Sequence, residues 1–169
     1  GNTFLMVNNL YGSIVERREV VLDLMERNKG FDGVIFVEES SIADYHMNYF
    51  NRDGTGDALC GNGLRCTAKY ILDEGICNKR IMSLEAVKKI YDCEFCFDGQ
   101  IKVGFPPPLK MKFNFKLKVQ FEEWWQMLNA SYVDVGSPHI VVFIDDIEKP
   151  AIKSLEEIPI DDWGRNLRM

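Results

Sequence analysis

The spacing of apolar residues changes several times along the chain, and each change marks an element. The opening GNTFLMVNN (1–9) reads as a turn feeding a short apolar strand. From Val15 to Asn28, VERREVVLDLMERN places Val20, Val21, Leu24 and Met25 on one face at helical spacing. Ser13 offers an N-cap for this helix and Gly30 a stop. GVIFVEE (33–39) reads as a buried strand. In ADYHMNYFN (43–51), Tyr45, Met47 and Tyr49 alternate with Asp44, His46 and Asn48, a period of two. Asp53-Gly54 signals a turn. Beyond it Leu64, Ala68, Ile71 and Leu72 form a second helical stripe, which Gly75 closes, giving a central helix over about 61–75.

KKIYDCEFCFDGQIKVGF (88–105) predicts a hairpin around Asp98-Gly99. Pro106-Pro107-Pro108 cannot continue a sheet ladder, so it separates a region 1–105 from a region 109–169. KMKFNFKLKVQF (110–121) alternates as a strand. SYVDVGSPHIVVFIDD (131–146) reads as a turn followed by an apolar strand, and Glu148 to Glu157 as a short helix. Many strands with two or three helices make an α+β protein. Gly1-Asn2-Thr3-Phe4-Leu5-Met6-Val7 faintly echoes Gly136-Ser137-Pro138-His139-Ile140-Val141-Val142, a hint of two similar halves.

Composition narrows the class. The 169 residues are 46% hydrophobic, which suits a globular core. A net charge of −6 argues against nucleic acid as partner. No apolar run approaches the roughly 20 residues that cross a bilayer, and the front carries no signal-peptide pattern. Five cysteines, odd in number and thinly spread, suggest free thiols in a reducing, cytoplasmic compartment.

The candidate chemistry lies in DGTGDALCGNGLRC (53–66). Cys60 directly precedes Gly61-Asn62-Gly63, at the predicted start of the second helix. The first amides of a helix lack internal partners and carry the positive end of its dipole. A carboxylate can dock on amides that glycine leaves uncovered, and a cysteine beside them has its thiolate stabilised. Acid binding and base activation then come from one feature, which suits proton removal from a carbon next to a carboxylate. A structural glycine turn with an inert cysteine is the competing reading of the spacing.

CGNGLRC, with YFNRDGTGDAL before it, resembles diaminopimelate epimerase, a cofactor-independent enzyme of lysine and cell-wall biosynthesis. The likeness extends through GNTF, FDGVIFVEES, YFNRDG and VGSPHIVVFIDDIE, nearly the whole chain. The resemblance implies a mainly antiparallel sheet wrapped around a central helix, in the first of two pseudo-symmetric halves plus part of the second. It implies that Cys60 is one of two catalytic cysteines and that Gly61 and Asn62 give backbone amides to the substrate carboxylate. Asn2 and Asn51 stand where family asparagines hold the substrate, and Ser137 where many members have another. Gly33 replaces a longer polar residue of some members, and Thr3 a usual aspartate. One thiolate takes the α-proton, and a thiol opposite returns one, interconverting LL- and meso-diaminopimelate without PLP or metal. A homodimer is compatible with this reading.

The family's second cysteine motif is absent, since Cys66, Cys77, Cys93 and Cys96 do not match it. The expectation is an incomplete chain, inactive alone. Two rivals stay open: a proline or hydroxyproline racemase-like enzyme of the same fold, and a non-catalytic half that binds a carboxylate or a partner chain. Among other residues, Cys66 is expected as a buried helical thiol. Cys93 and Cys96 are three apart in a predicted strand, awkward for shared zinc ligation. His46 is expected as a hydrogen-bonded structural residue, while His139 suits site support or turn packing equally. Trp124 and Trp125 are expected in a core or interface, and the lysines from Lys110 to Lys118 on a solvated strand face.

Overall fold

A computed structural model describes residues 1–56, 58–120, 125–143 and 164. The chain divides into two compact units, Gly1–Phe105 and Pro106–Met169. The first runs β1 (Phe4–Asn8), α1 (Arg17–Arg27), β2 (Gly33–Glu38), β3 (Tyr45–Asn51), α2 (Gly61–Asp73), β4 (Ile81–Ala86), β5 (Lys89–Phe95) and β6 (Ile101–Val103). Its six strands form one sheet in chain order. The sheet is more mixed than expected, with β1–β2 and β3–β4 parallel and the other three pairs antiparallel. The reason is topological. A parallel pair needs a long crossover, and α1 and α2 are those crossovers.

The α2 helix touches all six strands, so the sheet curls around it. Leu64, Ala68 and Ile71 of α2 pack on Ile35, Val37, Met47, Met82, Leu84 and Tyr91. On the sheet's other face, Val21 and Met25 of α1 pack on Val34 and Phe36. Thus β2 is buried on both faces over its whole length, which is why it reads as an unbroken apolar run rather than an alternation. Gly63 lets α2 approach this closely. A Cβ there would lie 3.2 Å from both the Ile35 Cδ1 and the Met47 Sδ.

The ends of α1 differ from the expected ones. The N-cap of α1 is Glu16, not Ser13, and no side chain caps it. The Asn9 side chain explains the later start: it donates to the Ile14 carbonyl at 3.1 Å and accepts from the Ile14 amide at 2.9 Å, closing a loop before the helix begins. Asn28 ends α1, its side chain donating to the Leu24 carbonyl. The central helix stops at Asp73, with Gly75 just beyond at φ +64°. Strand β4 had no sequence expectation, although Met82, Leu84 and Ala86 alternate inward. Its hairpin with β5 turns through Val87 and Lys88 at φ 48° and 58°, without the Asn-Gly type of signal. Among the described residues, no helix is long and apolar enough to cross a membrane.

Glu38 ends β2 as a buried carboxylate. It accepts from Arg17 Nε and Asn9 Nδ2 at 2.6 Å each and from Asn48 Nδ2 at 3.1 Å, with His46 Nδ1 3.7 Å away. Burial pushes this carboxyl up, but the hydrogen bonds from Arg17, Asn48 and Asn9 outweigh it and hold the group below the ordinary 4.5. A lowered folded value means the stabilisation is complete above pH 4.5 and fades as pH falls through the folded value. Glu38→Gln is therefore expected to cost roughly 1–2 kcal/mol at neutral pH. In urea unfolding across pH, its difference from wild type should shrink towards the acid limb.

The second unit is a three-stranded antiparallel sheet of β7 (Lys110–Gln120), β8 (Trp125–Asp134) and β9 (Pro138–Val142). Ser131–Asp134, expected as a turn, belong to β8, and the turn narrows to Val135–Ser137 with Gly136 at φ +99°. A register shift between Lys112 and Phe115, with Asn114 at φ 51°, interrupts the β7 alternation. The lysines of β7 are exposed. Trp125 is 56% exposed rather than in a core, and Lys118 Nζ lies 5.0 Å over its ring. Trp124 and the expected helix from Glu148 to Glu157 lie outside the described residues.

Candidate active site

The β3–α2 connection delivers Cys60 to the start of α2. Its backbone is extended (φ −128°, ψ 109°), and its side chain takes the N-cap role that serine or aspartate usually fills. Cys60 Sγ accepts from the Gly63 amide at 3.3 Å, while its carbonyl accepts the first helical bond, from Leu64, at 3.0 Å. The thiol is half-buried, and all five cysteines are free. Gly61 follows against Phe105: a Cβ there would stand 3.0 Å from the ring. The amides of Gly61 and Asn62 open the helix, where the dipole favours an anion.

Asn62 Nδ2 donates to Asn2 Oδ1 at 2.9 Å, joining two residues sixty apart in sequence. Asp32 fixes the Asn2 loop from below β2, accepting from the Thr3 amide at 2.7 Å and from Asn2 Nδ2 at 3.4 Å. Arg65, one turn into α2, donates to Asn62 Oδ1 at 3.3 Å. At the end of β3, Asn51 Nδ2 donates to Thr55 Oγ1 at 3.0 Å, and Asn51 Oδ1 accepts from the Tyr49 hydroxyl at 2.8 Å. Burial first, then negative charge at Cys60, Asp32 and Asp53, pushes the Tyr49 phenol above its ordinary 10.0.

The structure brings Cys60, Gly61, Asn62, Asn2 and Asn51 to one end of the first unit: the entrance to β1, the exit of β3 and the start of α2. Ser137 belongs to the second unit, in the β8–β9 turn, where its carbonyl faces His139 Nδ1 at 2.6 Å. Sequence reasoning missed Tyr49, Asp32, Thr55 and Arg65. A signal existed for Tyr49 alone: it lies two residues before Asn51 in a strand, hence on the same face.

The other cysteines have different surroundings. Cys66 is half-buried rather than buried and lines a groove with Tyr70 and Ile101 on the flank of α2. Burial, with a smaller push from Cys60, raises its thiol. Cys93 is buried in the core under α2, which drives its thiol up to about 11.

The family model of diaminopimelate epimerase matches residues 1–105. A diaminopimelate epimerase of Caldanaerobacter subterraneus is 34% identical, the match covering 92% of this chain and 61% of the relative. That of Thermotoga maritima is 32% identical, covering 99% and 62%. The chain thus spans about three-fifths of the length of these relatives. Among solved structures, a phenazine biosynthesis protein of the PhzF family from Bacillus anthracis superposes with TM-score 0.62 at 20% identity, over 84% of this chain and 50% of that one. A hydroxyproline epimerase from Agrobacterium vitis gives TM-score 0.51 at 17% identity, over 71% and 38%. At such identities these two structures speak for a shared α+β fold.

Proposed function

The chain belongs to the diaminopimelate epimerase family, and from that premise we propose that it supplies one proton-transfer thiol of an enzyme interconverting LL- and meso-diaminopimelate. The observation that carries the reading is Cys60 at the N-cap of α2, its sulfur on the Gly63 amide and beside the Asn62–Asn2 pair. A substrate α-carboxylate docks at the Gly61 and Asn62 amides, held by the helix dipole. That docking presents the α-carbon to Cys60. As the α-proton leaves, negative charge spreads into the carboxylate, and the same amides stabilise it. Asn2 and Asn51 hold the rest of the substrate. Inversion requires an acid on the opposite face. Of the five cysteines only Cys60 precedes a glycine, so this chain contributes one thiol of the pair. No step calls for a cofactor. The enzyme belongs to the cytoplasm, where thiols stay reduced.

The test is α-proton exchange. The natural protein containing this sequence is incubated in deuterated water with diaminopimelate, and separately with proline and hydroxyproline. Deuterium is expected at the α-carbons of diaminopimelate. Label entering only proline or hydroxyproline would overturn the assignment.

A further inference from the structure

Tyr49 is a polar side chain at this site with no part in the motif or in the proposed chemistry. Four observations converge on it. Its hydroxyl donates to Asn51 Oδ1 at 2.8 Å. The other end of the same amide is also engaged, donating to Thr55 Oγ1, which in turn donates to Asp53 Oδ1 at 2.6 Å. Its ring is held edge-to-face on Phe4, centroids 5.5 Å apart at 79°. Finally, the ring fills the space that Gly33 leaves: a Cβ at 33 would lie 2.7 Å from Tyr49 Cε2 and 3.2 Å from its hydroxyl oxygen.

An asparagine amide has a donor end and an acceptor end, and nothing intrinsic decides which way it faces. Here the Asp53 carboxylate can only accept, so the Thr55 hydroxyl donates to it and offers its oxygen to Asn51 Nδ2, which leaves Asn51 Oδ1 facing the Tyr49 hydroxyl as its donor. We propose that Tyr49 is a positioning residue that completes this clamp and holds the Asn51 amide in place for substrate binding, its hydroxyl aimed by Phe4 and by the missing side chain at Gly33. The proposal rests on the diaminopimelate reading given above. Tyr49 acts through Asn51 and moves no proton of the reaction. The phenol keeps its proton throughout the working pH range because burial and the neighbouring negative charges favour the neutral form. Its donor role is therefore constant with pH.

Tyr49→Phe keeps the ring, its Phe4 contact and its seat beside Gly33, and removes only the donor. In the natural protein, KM for diaminopimelate is expected to rise about 5- to 10-fold, the loss of one hydrogen bond, with kcat within about twofold. Calorimetric titration of diaminopimelate should show the same weakening. In an Asn51→Ala background, Tyr49→Phe should add less than about twofold, because the group it orients is gone. An unchanged KM in Tyr49→Phe, or full multiplication of the two effects in the double variant, would overturn the proposal while leaving the epimerase reading intact. Absence of α-proton exchange in the wild-type protein would overturn both.

Discussion

Replacing Cys60 by serine is expected to lower α-proton exchange on diaminopimelate about a thousandfold, within the usual range for losing a general acid–base group, while leaving the fold intact. The two halves of that statement have separate physical causes. Cys60 does structural work as the N-cap of α2, accepting from the Gly63 amide. Serine is among the best N-cap residues, so the exchange of sulfur for oxygen preserves or improves that contact. What serine cannot do is supply a thiolate as base. Cys60→Ala separates the roles from the other side. It should lose the same activity and also about 1 kcal/mol of stability, the cost of an absent cap. Thermal unfolding and exchange rates measured together on both variants check the pair. A Cys60→Ser protein with exchange within tenfold of wild type would remove the thiol from the mechanism. Alkylation supplies an independent reading: iodoacetamide at neutral pH should modify Cys60 and spare Cys93, whose thiol burial holds near 11.

The helix that carries Cys60 was legible because its signals are local: a glycine-rich start, a 3.6-residue apolar stripe, a closing glycine. The same holds for β2 and for the alternation of β3. What escaped was whatever depends on residues far apart. The two parallel pairings follow from where α1 and α2 return the chain, which no window of residues encodes. β4 was missed because its turn uses Val87 and Lys88 in left-handed conformations, where the expected signal is Asn or Gly. Ser131–Asp134 lay close to a glycine turn and borrowed its appearance, yet all four pair with β9, and Tyr132, Val133 and Asp134 pair with β7 as well. At the site the division is similar. Cys60, Gly61 and Asn62 announce themselves in one motif, and Asn2 and Asn51 were placed by resemblance. Asp32 reaches Asn2 and Thr3, and the Tyr49 ring reaches Phe4 and Gly33, only once β1, β2 and β3 lie side by side.

Gly33→Ala is expected to destabilise the protein by about 2–3 kcal/mol, an overpacking cost, and to weaken substrate binding at the same time. Gly33 opens β2, paired with Phe4 on one side and Asn51 on the other. A Cβ built there lies 2.3 Å from the Phe50 carbonyl oxygen and 2.7 Å from the Tyr49 ring. The ring can swing away at the expense of its hydrogen bond to Asn51. The carbonyl belongs to the β3 backbone and has no rotamer to escape into, so the strand must shift where it carries Asn51. Gly30→Ala is the matched control: a Cβ there meets nothing within 4 Å, and the backbone is not left-handed. Its effect should be neutral or stabilising by a few tenths of a kcal/mol, through the unfolded chain. Urea unfolding of the two variants tests the contrast, and a Gly33→Ala midpoint matching that of Gly30→Ala would show that β3 yields without cost. In this chain the space that position 33 leaves beside Asn51 is taken by the Tyr49 ring.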